Sequence, residues 1–236
     1  MDRGYIYVNK NNFRHNIDYL KNLKDSELCL VVKANAYGHG IDWTVNTAID
    51  SGVVWFAVAA IDEAILVRSI SDDIRILLLS EPSVSELEKL AIHNIDTTVY
   101  NETFIEALGE SQHSFNVHLK IDTGMHRVGC SPDKFDMLYE KISSFNNLAL
   151  EGICTHFPVA DTDERQTNHS VKIFKETISA VDIENLLIHA DNSASTTYNN
   201  EKIFNMIRVG LAAYGHSISP VSVASELKPV MEIKTR

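Results

Sequence analysis

"LCLVVKANAYGHG", residues 28–40, decides the fold. The first five residues form a short, continuous apolar run with β-branched residues at its end, the signature of a strand buried on both faces. The run stops on Lys33 and passes into small and polar residues with Gly38 and Gly40, which mark a tight loop. A lysine where a buried strand surfaces needs a reason.

Similar apolar runs recur roughly every 20 to 35 residues, as strands alternating with helices do. They are "VVWFAVA" from Val53, "IRILLL" from Ile74, "DTTVY" from Asp96, "VHLKI" from Val117, "LALEGICTH" from Leu148, "LLIHA" from Leu186 and "MIRVGL" from Met206. Between them, "DEAILVRSI", "SVSELEKLAIH", "SPDKFDMLYEKISSF" and "TNHSVKIFKETISAV" carry apolar residues at helical spacing, with Ser or Asp near their starts as caps. Eight strands alternating with helices in an α/β chain predict a (β/α)8 TIM barrel. The alternative is a doubly wound open sheet with exposed edges and its chemistry at one switch point. A further strand, "YIYVN" from Tyr5, precedes the helix "FRHNIDYLKNL" and is one too many for the barrel. The tail "ELKPVMEIKTR" again alternates like a strand and stops. We therefore expect residues 1–10 to pair with a β-rich second domain, 11–220 to form the barrel, and 221–236 to begin that domain, cut short at Arg236.

At 236 residues with 44% hydrophobic side chains, the chain can bury one large core. A formal net charge of −11 argues against a nucleic-acid partner held by phosphate neutralisation. No apolar stretch reaches membrane-spanning length. Cys29, Cys130 and Cys154 lie at wide, unpatterned spacings that fit neither a disulfide framework nor a zinc site and suit a reducing cytoplasm.

Barrel enzymes build their sites at the C-terminal ends of the strands, and the unusual residues collect there. Lys33 ends the first barrel strand, Lys120 and Asp122 the fifth and His156 the sixth. His189, Asn192 and Ser193 follow the seventh, and Arg208 ends the eighth just before Gly210. The Asn-Ser pair and the glycine occupy the usual barrel phosphate site, which suggests a phosphorylated ligand. Two competing motifs fail. "IDTG" (121–124) spells an aspartic-protease loop, but that chemistry needs a small, mostly β fold. His189 and Asp191 lack a third metal ligand at a recognisable spacing, so we expect no metal and read the pair as structural.

"VVKANAYGHG", "LKIDTGMHRVG" (119–129), "EGICTHFPVAD" (151–161), "NSA" (192–194) and "MIRVGLAAYG" (206–215) resemble, in order, the motifs of the alanine racemase family, pyridoxal-phosphate (PLP) enzymes with a barrel domain. The opening strand and helix and "LKPVM" resemble that family too. The resemblance implies that Lys33 carries PLP as an imine and then moves a proton at the substrate Cα. It implies that Tyr37, Ser193 and the backbone of Gly210 and Leu211 hold the phosphate. Arg208 would face the pyridine nitrogen, keeping it unprotonated because a guanidinium only donates, and His156 would stand beside Arg208. Arg127 would contact the cofactor's phenolic oxygen and the substrate carboxylate, helped by the backbone N–H of Met125 and oriented by Lys120 if carbamylated. The family's second base, a tyrosine on the partner subunit's β-rich domain, has no match here. The implied function is interconversion of L- and D-alanine by a cytoplasmic homodimer acting on a small amino acid. Alternatives are a serine or broad-specificity racemase, or a non-catalytic PLP-binding homeostasis barrel. Pro158 and Asp191 depart from the commonest family pattern and are expected to tune substrate choice.

Overall fold

The computed structural model describes residues 4–199, 201–216 and 226–235. Ten strands run in chain order: β1 Gly4–Val8, β2 Glu27–Val31, β3 Trp55–Val58, β4 Arg75–Leu78, β5 Asp96–Val99, β6 Phe115–Lys120, β7 Leu148–Cys154, β8 Leu187–His189, β9 Met206–Val209 and β10 Met231–Thr235. Eight of them, β2 to β9, form one parallel sheet in the order β8-β7-β6-β5-β4-β3-β2-β9. The two ends meet. Asn205 N donates to Ile188 O at 3.0 Å and Arg208 N to Asp191 O at 2.8 Å, so the three-residue β8 is tied to β9 and the sheet curls into a TIM-like barrel. The open-sheet alternative is excluded by this closure.

Strand alternation sorts the side chains into two layers. Leu28, Leu30, Phe56, Val58, Ile76, Leu78, Val117, Leu119, Ile207 and Val209 point outward against the helices. Cys29, Val31, Trp55, Ala57, Leu77 and Met206 form a separate apolar cluster inside the barrel. Across the lumen from this cluster, the buried inward positions of β5 to β8 are polar: Asp96, Thr98, His118, Lys120 and His189. The lumen is thus greasy on one side and hydrogen-bonding on the other.

All eight quoted apolar runs contain the expected strands. Two further helices, Ile41–Asp50 and Glu102–Gly109, complete the alternation. The extra N-terminal strand pairs antiparallel with the tail strand, β1 with β10, with Gly4 opposite Thr235 and Val8 opposite Met231. The ribbon exposes Tyr5, Ile6 and Ile233. The expected junction at 220/221 lies outside the described residues. Among the described residues no helix is long and apolar enough to cross a membrane.

Candidate active site

A cavity of about 520 Å³ opens at the C-terminal ends of the strands, within the size range of small-ligand pockets. Lys33, Tyr37, Lys120, Arg127, His156, Ser193, Arg208, Gly210 and Leu211 all line it. Of the residues given a role by the family resemblance, Met125 is the one outside the lining; Asp122 and His189 of the strand-end group are outside it too. Met125 sits on the rim loop between Gly124 and His126, whose backbone N–H groups bond the Asp122 carboxylate.

Lys33 is placed by an unusual turn. Ala34, Asn35, Ala36 and Tyr37 all have positive φ, 52°, 53°, 55° and 53°, in the left-handed region that costs an L-residue roughly 1–2 kcal/mol each. The pattern suggested that Gly38 and Gly40 would do the turning, but four non-glycine residues share it. Glu63 holds them. Its Oε1 accepts from Ala34 N at 2.6 Å, and its Oε2 accepts from Ala59 N at 2.9 Å and Ala60 N at 3.2 Å. Asn35 Oδ1 accepts from Ile41 N at 2.8 Å and closes the turn on the next helix. The Lys33 Nζ lies 5.9 Å from the centroid of the Tyr37 ring.

The far side of the cavity is an anion cradle. Ser193 Oγ accepts from Gly210 N at 3.0 Å and Ala212 N at 3.2 Å. With both lone pairs engaged, its own hydrogen is left to donate outward. A Cβ on Gly210 would stand 2.5 Å from the Tyr37 hydroxyl, so a larger residue there would push that ring out of the cradle. Burial raises the Tyr37 pKa, so that hydroxyl stays protonated and can donate. Asn192 shapes the loop by accepting from Ala194 N at 3.0 Å and Ser195 N at 3.1 Å. Asp191, one of the two departures from pattern, points away from the cavity. It is fully buried, ion-paired with Lys24 and bonded by Asn199 Nδ2 at 2.6 Å. Pro158 does line the cavity.

Arg208 rises from the lumen and is 7% exposed. Its Nη2 donates to Thr155 O at 2.7 Å, and its Nη1 meets His189 Nδ1 at 2.6 Å. The residue expected beside Arg208 was His156; the hydrogen-bonding histidine is His189, read from the sequence as merely structural. His156 instead forms cavity wall, its pKa pushed down to about 3 by burial and by the charges of Arg208, Lys120, Arg127 and Lys33. Lys120 is 6% exposed and donates to Leu79 O at 3.2 Å. Burial above all, with Arg208 and Arg127 adding repulsion, brings its amine down to about 8.

Arg127 stands exposed on the 122–129 loop. Asp122 Oδ1 organises that loop by accepting from Gly124 N at 2.9 Å and His126 N at 3.1 Å. At its end Gly129 has φ 134°, and a Cβ there would meet Asp122 N at 2.7 Å.

Residues 8–218 match the family model described as alanine racemase, N-terminal domain. The chain belongs to the alanine racemase family. It is 39% identical over 97% of its length to an alanine racemase of Treponema denticola and 37% identical over 95% to one of Treponema pallidum, and in each case it spans 64% of the relative. Among solved structures it superposes on an alanine racemase of Clostridium difficile 630 with a TM-score of 0.91 at 29% identity, covering all of this chain and 65% of that one. The chain therefore spans somewhat under two thirds of the length of these racemases. Glu63, His118 and Asp96 belong to this family member's site region but carried no readable signal, since a helix glutamate and two lumen residues look like ordinary polar positions until the strands are assembled.

Proposed function

We propose that this chain is the PLP-binding barrel of an amino-acid racemase and that alanine is its substrate. The observation that carries the reading is the convergence of Lys33, Arg127, Arg208 and the Ser193–Gly210–Tyr37 cradle on one cavity. The cradle fits a phosphate: one hydroxyl with its acceptor capacity used up, one protonated phenol, and a glycine that leaves the Tyr37 hydroxyl room at the backbone. PLP, when bound, supplies an electron sink for charge developing at Cα.

This chain's residues do the rest. Lys33 would hold the cofactor through its Nζ and would move the proton at the substrate Cα. Arg208 can only donate, so it would hydrogen-bond a ring nitrogen without giving it a proton, leaving a shallower electron sink and disfavouring side reactions. Arg127 presents its planar guanidinium to the substrate carboxylate. Lys120, with a substantial neutral fraction near pH 8, attacks carbon dioxide through its amine nitrogen and releases a proton. The resulting carbamate anion pairs with Arg127 where an ammonium would repel it. His156 stays neutral and adds no charge to an already cationic wall.

Racemisation needs a proton-moving group on each face of Cα. Lys33 is one. Among the described residues Tyr37 is the single tyrosine lining the cavity, and it sits at the cradle. The reading assigns the second group to a tyrosine on the partner subunit in the homodimer the family implies. Buried, unpaired Cys29, Cys130 and Cys154 support work in a reducing cytoplasm. A pure cofactor carrier would have no use for an arginine presented on a dedicated rim loop.

The test is exchange of the Cα hydrogen of D-alanine with deuterated water, followed by NMR with PLP present. Exchange is expected, faster for alanine than for serine, and lost in Lys33→Ala. Cofactor binding without exchange would instead favour the carrier.

A further inference from the structure

Below the cavity floor, the lumen holds a line of polar groups that the proposed chemistry leaves unused. Arg75 starts it at the N-terminal end of β4, donating through Nη2 to Asp96 Oδ2 at 2.6 Å and to Glu151 Oε2 at 3.2 Å. Asp96 Oδ2 lies 3.6 Å from His118 Nε2, beyond hydrogen-bond reach, so the carboxylate acts on that ring through its charge alone. His118 Nδ1 meets His189 Nε2 at 2.9 Å, and His189 Nδ1 meets Arg208 Nη1 at 2.6 Å. Both imidazoles are fully buried. The line runs from the bottom of the barrel to the arginine that faces the cavity.

One chemical fact orders every proton in it. A guanidinium only donates, so His189 Nδ1 is bare and its proton is on Nε2. That proton is donated to His118 Nδ1, so His118 carries its own on Nε2, facing the Asp96 carboxylate. Reversing either tautomer sets hydrogen against hydrogen or lone pair against lone pair. Both rings are neutral in this order, and burial together with the Arg208 charge lowers the His189 pKa well below the usual value. The fold makes room for the line. A Cβ on Gly152 would stand 2.5 Å from His118 Nδ1, and the β6–β7 ladder shifts register between Val117 and His118. Trp55 meets His118 edge-on with centroids 5.8 Å apart.

We propose that Asp96 and His118 are positioning residues that act through His189 on Arg208, setting how strongly its guanidinium donates into the cavity. This rests on the PLP reading. The Asp96 charge polarises each N–H in turn and makes His189 Nδ1 a stronger acceptor. Arg208 then spends its positive charge downward and donates more weakly upward. Without the carboxylate, a ring nitrogen in the cavity would take on pyridinium character and deepen the electron sink. The amino group of alanine would then pass more often to the cofactor, with water supplying the ketone oxygen of the released pyruvate.

Asp96→Asn and His118→Gln, both close in shape to the originals, test this in the whole chain. In the cofactor-free wild type, ¹⁵N-histidine spectra should show two neutral imidazoles with N–H protons slow to exchange, and both variants should lose that protection. With ¹⁵N-labelled PLP bound, the ring-nitrogen resonance should move toward the pyridinium position in both variants. Pyruvate formed per Cα exchange event should rise about fivefold or more, as for a bond to a buried charge. A ring resonance and a pyruvate ratio unchanged in folded, loaded variants would overturn the proposal alone. If Asp96→Asn does not fold, the same two readings on His118→Gln decide. A folded wild type that binds no PLP would overturn the cofactor reading and the proposal together.

Discussion

At Gly210 a single missing Cβ separates a cradle from a clash. Gly210→Ala puts a carbon 2.5 Å from the Tyr37 hydroxyl, nearer than any ordinary contact, so the tyrosine must swing away. We expect PLP affinity to fall at least tenfold, measured by absorbance titration, while the urea midpoint changes little because Gly210 is in a loop. Lys120 gives a second prediction. Its amine, brought down to about 8 by burial, should gain a mass of one carbon dioxide in native mass spectra recorded in bicarbonate near pH 8, and Lys120→Arg should not. Roles of this kind were legible only in part. Lys33, Arg208 and Ser193 stand at strand ends and were readable as a group. The hydrogen bond of His189 to Arg208 was not, because it depends on which inward residues of β8 and β9 come level once the barrel closes.

The 33–37 turn shows how an element can hide from pattern reading. Its residues have no left-handed preference apart from Asn35, and the sequence signal fell on the glycines that follow. Tertiary contacts hold the turn at both ends, through Glu63 on Ala34 N and Asn35 on Ile41 N, while Glu63 is itself fixed by Ala59 N and Ala60 N. Glu63→Gln keeps one acceptor oxygen and loses the charge. It should destabilise the chain by about 1–3 kcal/mol, the range for bonds to a charged group, and lower PLP affinity by disordering Lys33. Ala34→Gly relieves one left-handed alanine and should raise stability by about 0.5–1 kcal/mol, after allowing for the entropy glycine adds to the unfolded chain. A urea midpoint that drops in Ala34→Gly would show that the turn stores no strain there. The strands were far easier to read. Most strands of the barrel are runs of β-branched and aliphatic residues buried on both faces, and that composition survives without any knowledge of partners. The helices Ile41–Asp50 and Glu102–Gly109 bury an apolar stripe too, although neither was singled out from the sequence.

Across the molecule, buried histidines tie stability to pH. His156 and His189 have depressed pKa values in the folded chain, His156 to about 3, whereas both titrate near 6.5 when unfolded. Between those limits the unfolded state binds more protons, so stability rises with pH and falls as the solution is acidified below about 6.5, by up to about 1.4 kcal/mol per unit for each histidine. The urea midpoint should be lower at pH 5.5 than at pH 7.5, and His156→Asn should flatten the slope. A midpoint insensitive to pH over that range would mean the two imidazoles are not held neutral. The same barrel that excludes protons from these rings gathers Lys33, Arg208 and the cradle at one mouth, and the proposed function depends on Lys33 being the covalent anchor. Borohydride reduction of the PLP-loaded chain followed by peptide mass mapping tests that directly. The account predicts a phosphopyridoxyl adduct on the peptide carrying Lys33 and its loss in Lys33→Arg; an adduct on another lysine, or none in a folded sample saturated with PLP, would contradict it.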